Sequence, residues 1–384
     1  MSDPNKSNGA GAPQAAGPSL TLTGGAAIVA PASAFPNGLP PQAMVLLPIT
    51  KLTDELSEML AKGPVAVLQE QMWALLGFNG PAVQVQDDQG RPVAIGLDDL
   101  VSSLQKHWDE EVDDLNRGRI LAQELLKYTR LEQAEAVLAK IVAKGGTGED
   151  WLALGAVQLQ QGKHDRAEGT LKGAQNLIPA SPYPSLHLAK VAHAKGDLAL
   201  EQEMALRAIG IDTSAVDAWA YYFQLVKEAD GEEKALKAID ELADAPAHAK
   251  SVAPYVAVQG FYAQDEETRP KAIIFAHKAI ERNPDDPVGL LCLSALYGAS
   301  GNLQAVIELL APHEGKMTRD VRLANNYFEA LFQSRQLDKV KALLNALAGS
   351  PNRDVKQFAI ERSRAVAQFL QQQAAQMTAA TTRK

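Results

Sequence analysis

Residues 148–181 read GEDWLALGAVQLQQGKHDRAEGTLKGAQNLIPAS, and the spacing of Trp, Gly, Ala and Pro in this segment indicates the fold. Its Trp151 is matched by Trp219, which lies 68 residues later, or twice 34. Gly162 and Gly196 are separated by 34 residues, and a polar residue follows each of them. A fixed period of this length is typical of stacked supersecondary units, each too small to bury its apolar face alone. The sequence therefore predicts a repeat protein.

Extending the period in both directions gives seven units, with spacings of 33, 34, 34, 37, 34 and 34 residues. The 37-residue spacing places three extra residues ahead of the fifth unit. Glu201 occupies a position that holds alanine in the better-preserved units, so its own unit is degenerate. The units begin near Leu115, Gly148, Pro182, Val216, Ala253, Pro287 and Val321.

Side-chain size along a unit predicts how two antiparallel helices pack. Small residues such as Gly155 and Ala167 are expected where the two helices cross, and Leu154 and Leu171 are expected to fill the space towards the next hairpin. Pro179 is expected to end the second helix, because proline lacks a backbone donor and clashes inside a helix.

These residues resemble the signature of the tetratricopeptide repeat (TPR) family, which is a Trp, a Leu-small pair, an Ala, a large apolar residue and a closing Pro. In the clearest unit these positions hold Trp151, Leu154, Gly155, Ala167, Leu171 and Pro179, and Gln158 replaces the usual tyrosine. The resemblance implies an all-α fold, a right-handed α-solenoid of helical hairpins. It also implies a concave groove, lined by the first helix of each unit, that binds an extended peptide or a partner helix.

The remaining chain divides by composition into four further segments. Residues 1–41 are rich in Gly, Pro, Ala, Ser and Asn, which predicts a disordered tail. Residues 42–113 are expected to form a small α+β module or N-terminal cap ahead of the array at 114–352. A capping helix is expected over 353–376, followed by a frayed tail at 377–384.

Within the 42–113 module, Val83–Val85 and Val93–Ile95 flank a glycine-containing turn and predict a β-hairpin. Helices are expected after Thr53, after Pro64 and from Asp98 onward.

Overall charge and hydropathy limit the partners and the location. The net charge is −9 and no long basic run occurs, which argues against nucleic-acid binding. No apolar run approaches the roughly 18 residues that span a bilayer, and residues 24–34 make a poor secretion signal. We expect a cytoplasmic protein without a membrane span. Cys292 is the only cysteine, so no intrachain disulfide forms, and it is expected to be a small core residue.

The groove that the resemblance implies selects the candidate binding residues. Its lining mixes aromatic side chains with Lys, Arg, His and amide groups, which suits a protein or peptide partner of some acidic character. The lysine and asparagine set with which chaperone-docking members of the family hold a terminal carboxylate is incomplete here. The candidate residues are Tyr183, His187, Lys190, His193, Tyr221, Gln224, Lys227, Phe261, Gln264, Arg322 and Asn325.

Motifs for catalysis or cofactor binding are missing from the sequence. There is no phosphate-binding loop, no His-Glu-x-x-His, no CxxC and no Gly-x-Ser-x-Gly. His187 and His193 lie six residues apart, which places them on different sides of a helix and argues against a shared metal ion. No cofactor, metal or catalytic residue is therefore expected.

The leading hypothesis is a non-catalytic scaffold or adaptor for protein binding. One alternative is a regulatory or enzymatic role carried by the 42–113 module, with the repeats as a targeting arm. Another is an assembly factor for secretion or envelope machinery. The partner, the pathway and the oligomeric state are not specified by the sequence.

Overall fold

The computed structural model describes residues 19–21, 27–29, 82–86 and 92–381, with side-chain surroundings for 97–372. The chain separates into two compact units, and the boundary in the sequence falls between Gly146 and Thr147. The sequence places the start of the repeat array earlier, at residue 114, so its first hairpin belongs to the N-terminal unit by compactness. The predicted division into domains otherwise stays a prediction.

Two short antiparallel strand pairs occur in the N-terminal unit. Strands β3 (Ala82–Gln86) and β4 (Pro92–Gly96) pair with Val83 opposite Ile95, which confirms the predicted hairpin. Strands β1 (Ser19–Thr21) and β2 (Ala27–Val29) also pair, within the segment expected to be a disordered tail. The difference follows from the aliphatic and β-branched residues of these two segments, which favour extended backbone. The helices predicted after Thr53 and Pro64 lie outside the described residues.

Three helices complete the described part of this unit: α1 (Leu97–Glu110), α2 (Leu115–Lys127) and α3 (Leu131–Ala143). Trp108 of α1 is fully buried against α2 at Gly118, where an added Cβ would lie 2.9 Å from the indole ring. This close approach ties α1 to the hairpin of α2 and α3, because any larger side chain at residue 118 would separate the two helices.

The second unit is a stack of helical hairpins, and its register confirms the predicted period. Each hairpin has a first helix and a second helix joined by a tight turn. The first helices are α4 (Gly148–Gln160), α6 (Tyr183–Lys195), α8 (Val216–Asp230), α10 (Ala253–Tyr262), α12 (Pro287–Ala299) and α15 (Val321–Gln333). The second helices are α5 (His164–Leu177), α7 (Leu198–Ile211), α9 (Glu232–Ala243), α11 (Arg269–Arg282), α13 (Leu303–Leu310) with α14 (Glu314–Met317), and α16 (Leu337–Ala348).

Small residues permit the helix crossings, as the sequence predicts. A Cβ added at Gly155 of α4 would lie 2.6 Å from the side chain of Leu171 of α5. Ala167 and Leu171 are fully buried at the same crossing, and Leu154 is 5% exposed. Helix α5 ends at Leu177, two residues before Pro179. The chain therefore has a TPR-like, all-α solenoid fold in this unit.

Two irregularities interrupt the repeat. The three extra residues ahead of α10 form part of a 3₁₀ turn, Pro246–His248, which His248 anchors by packing its ring edge-on to Trp219 at 5.3 Å. In the hairpin that begins with α12, the second helix is broken into α13 and α14 by a 3₁₀ turn, Ala311–His313. The break was not predicted; Pro312 causes it, because its ring cannot continue the helical hydrogen bonds.

A long helix, α17 (Arg353–Thr381), closes the stack. Among its residues up to 372, whose surroundings are described, Val355, Ala359 and Val366 are buried, so one side of the helix is apolar. The helix passes the expected end at 376 and runs through most of the predicted frayed tail, because the Gln- and Ala-rich residues there are good helix formers without Gly or Pro. Among the helices that the structure describes, none has the length and apolarity to cross a membrane.

Candidate functional site

The candidate residues of the first helices lie on a surface that we call the first-helix face, defined by Lys190 and His193 of α6, Tyr221 and Lys227 of α8, and Phe261 of α10. Lys190 and His193 are exposed, and the other three are half-buried. Three consecutive first helices thus contribute cations and aromatic rings to one surface.

Glu201, from the second helix α7, joins α6 to α8. The Tyr221 hydroxyl donates a 2.7 Å hydrogen bond to Glu201 Oε1, and His193 Nδ1 lies 3.1 Å from the same oxygen. The Glu201 side chain is 3% exposed. Burial, and next the bond to Glu201, raise the pKa of Tyr221 far above its usual value. Tyr221 is therefore a neutral hydrogen-bond donor at physiological pH.

Glu201 is the residue that sequence reasoning missed as part of this surface. Its signal was present, because a glutamate replaced alanine in the first turn of the second helix. The sequence could not show that its carboxylate reaches two candidate residues, since those residues lie on two different first helices.

A cation–π contact joins α8 to α10. Lys227 Nζ lies 3.9 Å from the centroid of the Phe261 ring. Phe261 in turn packs edge-on against Phe223 at 5.4 Å between ring centroids. Gln224 donates a 2.5 Å hydrogen bond to Glu228 on the same helix. The positive charge of Lys227 is held over an aromatic face, an arrangement that keeps it accessible on one side.

The N-terminal end of α6 carries two further candidates. Tyr183 is its first residue and is 43% exposed. His187 Nδ1 donates a 2.9 Å hydrogen bond to the Tyr183 carbonyl. Burial is the main cause that lowers the pKa of His187, so its imidazole is neutral at physiological pH. The His187 ring is therefore hydrogen-bonded within α6.

Three candidates take positions that differ from the expectation. Gln264 is exposed but lies in the turn after α10, because this helix ends at Tyr262 and does not reach the next groove position. Arg322 is paired with Asp320 at 2.8 Å, and Asp320 also caps α15. Asn325 accepts a 3.1 Å hydrogen bond from Arg362 of α17, so it helps to hold the closing helix. Arg322 and Asn325 thus serve local contacts of α15.

The remaining groups of chemical interest are the Cys292 thiol and the potential metal ligands. Cys292 is half-buried against the core, and burial raises the pKa of its thiol to about 11. It is therefore protonated at neutral pH and unreactive as a nucleophile. Within the described residues, no group of three or more His, Cys, Asp or Glu side chains is placed to hold a metal ion.

No family model matches this chain, and no curated protein is detectably similar to it. Solved structures are similar to parts of this chain at low identity. MamA residues 41-end from Desulfovibrio magneticus RS-1 is 15% identical over 38% of this chain and 84% of that chain, with a TM-score of 0.35. YrrB, a TPR protein with an unusual peptide-binding site, is 18% identical over 50% of this chain and 97% of its own, with a TM-score of 0.31. Yeast Tom70 is 14% identical over 66% and 60%, with a TM-score of 0.29.

Proposed function

We propose that this chain is a non-catalytic interaction scaffold or adaptor, and that its first-helix face binds an extended peptide or a partner protein. The observation that carries the proposal is the run of cations and aromatic rings across α6, α8 and α10. Aromatic side chains give contact area at a low entropic cost, and lysines can satisfy peptide carbonyls and carboxylates.

Lys190 gives the surface its preference for an acidic group. It is exposed, and no carboxylate among the described residues pairs with it. Lys227 adds a second positive charge, held against Phe261. A partner with one or more carboxylates would meet both cations, whereas Glu201 is already bonded within the protein and contributes little charge at the surface.

The test is affinity capture with the full chain carrying Lys190→Glu, read by mass spectrometry beside the wild type. Tyr221 is left unchanged, because its removal would also unpair a buried carboxylate and confuse binding with folding. The matched control is Lys237→Glu, at an exposed lysine of the second helix α9. We expect Lys190→Glu to lose the specific partners and Lys237→Glu to retain them. Equal capture by both variants would show that the first-helix face is not the binding surface.

The cytoplasmic location remains a proposal, which fractionation of the native host tests directly. The alternative roles for residues 42–113 likewise stay predictions. A truncation that removes those residues but keeps partner capture would assign binding to the repeats.

A further inference from the structure

Three ion pairs join the neighbouring second helices α9 and α11. All three pairs join residues 38 or 39 positions apart, so they follow one another along the two helices. The pairs are Lys271–Glu232 at 2.7 Å, Lys278–Asp240 at 3.2 Å and Arg282–Asp244 at 2.9 Å.

The corresponding place between α5 and α7 carries two cations instead. Lys278 is the tenth residue of α11, and the tenth residue of α7 is Arg207. Asp240 is the ninth residue of α9, and the ninth residue of α5 is Lys172. Arg207 thus corresponds to the cation Lys278, but Lys172 stands where the pair between α9 and α11 has the carboxylate Asp240. No ion pair among the described residues joins α5 to α7.

A cleft of about 490 Å³ opens between these two helices, with α6 beneath it. Its floor is apolar and includes Leu188, Val191 and Met204, which are between 2% and 6% exposed. Lys172 and Arg207 line its sides. The cleft therefore combines a hydrophobic base with positive charge at its mouth.

The carboxylates of the cleft already have partners. The Glu168 carboxylate accepts hydrogen bonds from the ammonium groups of Lys172 and Lys195, each at 2.6 Å. These two bonds lower the pKa of Glu168 to about 2. Asp197 caps the first turn of α7 through the Leu200 amide. Arg207 is exposed and pairs with no described carboxylate. Lys195 is also held by Asp165 at 2.6 Å, so of the three cations in the lining only Arg207 is without a carboxylate partner among the described residues.

We propose that this cleft is a second docking site, which takes a segment of a partner protein that carries an acidic residue beside an aliphatic one. The acidic side chain enters between Lys172 and Arg207 and supplies the carboxylate that Asp240 supplies between α9 and α11. The aliphatic side chain packs on Leu188 and Met204. The aliphatic side chain of the partner would cover this charged bond from water, which makes the bond stronger than a fully exposed pair.

The cleft opens between the second helices α5 and α7, and although α6 forms its floor, none of its lining residues is one of those that define the first-helix face. The inference therefore does not rest on the proposed function. Loss of binding at one surface leaves the other intact. The cleft variants below change Lys172 and Arg207, the capture variant changes Lys190, and Lys237 serves only as the control position in both tests.

The test uses the full chain with ¹³C-labelled methionine methyl groups, with the Met204 resonance assigned through Met204→Leu. The probe is the peptide N-acetyl-Asp-Leu-Leu-Asp-amide. N-acetyl-Lys-Leu-Leu-Lys-amide controls for charge, and N-acetyl-Asp-Ser-Ser-Asp-amide controls for the aliphatic group. We expect only the acidic, aliphatic peptide to move the Met204 resonance to saturation. No movement, or equal movement with the basic peptide, would overturn the proposal.

Variants of the two cations give the second arm. Arg207→Gln should weaken binding of the probe at least about fivefold, as expected from losing one charged hydrogen bond. Lys172→Asp should abolish binding, because the new carboxylate pairs with Arg207 inside the cleft. Lys237→Gln, outside the cleft, should bind like the wild type. If Lys172→Asp binds the probe as tightly as the wild type, the carboxylate does not enter between the two cations and the proposal is wrong.

Discussion

The hydroxyl of Tyr221 donates a 2.7 Å hydrogen bond to Oε1 of Glu201, although the two residues belong to neighbouring hairpins. Glu201 is 3% exposed, so its charge depends on donors within the protein. A buried carboxylate that loses a donor retains its desolvation cost without compensation. One residue of the candidate surface is consequently also a structural partner of the core.

Tyr221→Phe removes that donor while keeping the ring. We expect the free energy of unfolding to fall by about 1–3 kcal/mol, measured by urea denaturation at pH 7. Glu201→Ala in the Tyr221→Phe background should cost less than in the wild type, because the two residues are coupled. Tyr183→Phe, at an exposed ring, is the control and should change little. Additive effects in the double-mutant cycle would show that the bond does not stabilise the fold.

In the first hairpin of the second unit, replacing either of two glycines by alanine should change the stability in opposite directions. Gly155→Ala should destabilise by about 1–3 kcal/mol, because its Cβ would lie 2.6 Å from Leu171. Gly169→Ala, in the middle of α5 with no atom within 4 Å of the added Cβ, should stabilise by up to about 1 kcal/mol. Thermal unfolding of both variants decides the matter. A lower midpoint for Gly169→Ala than for Gly155→Ala would contradict the packing.

Substitutions at Leu154 and Ala167 test whether the repeat register places these two residues in the core. Leu154→Ala should leave a cavity and cost roughly 2–5 kcal/mol. Ala167→Leu should overpack a fully buried crossing and cost about 1–3 kcal/mol. Wild-type melting of both variants would mean that the two positions are not in the core.

His248 makes stability depend on pH. Its ring packs on Trp219, its Nδ1 has no hydrogen-bond partner, and burial lowers its pKa below the usual 6.5. As the pH falls through 6.5, the unfolded chain takes up a proton before the folded chain does. The contribution of a neutral His248 is therefore complete above about pH 6.5 and is lost as the pH falls towards the folded-state pKa.

His248→Phe keeps an aromatic ring against Trp219 and removes this titration. Urea unfolding at pH 7.5 and pH 5 should show a smaller loss of stability on acidification than in the wild type. Some loss should remain, because burial also lowers the pKa of His187 and His313. His277→Phe, at an exposed position, controls for the removal of one histidine. An unchanged pH dependence in His248→Phe would rule out this role.

Much of the fold could be predicted because it depends on local periodicity. The spacing of Trp151 and Trp219, together with the recurring glycine turns, places every first helix of the second unit within one residue of its expected start. The Pro312 break, the 3₁₀ turn at His248 and the end of α10 before Gln264 were missed. Each of these is a departure from the repeat at one position, which a constant period cannot indicate.

By itself, the sequence determined that this chain stacks helical hairpins, because apolar and small residues recur every 34 positions and a hairpin alone cannot bury them. Only the tertiary structure decided which candidate residues stand free and which are already bonded. Asn325 binds Arg362 of the closing helix, Tyr221 binds Glu201 of another hairpin, and Lys172 and Arg207 line the same cleft. These relationships join residues 20 to 37 positions apart on different helices, so they exist only once the hairpins have packed.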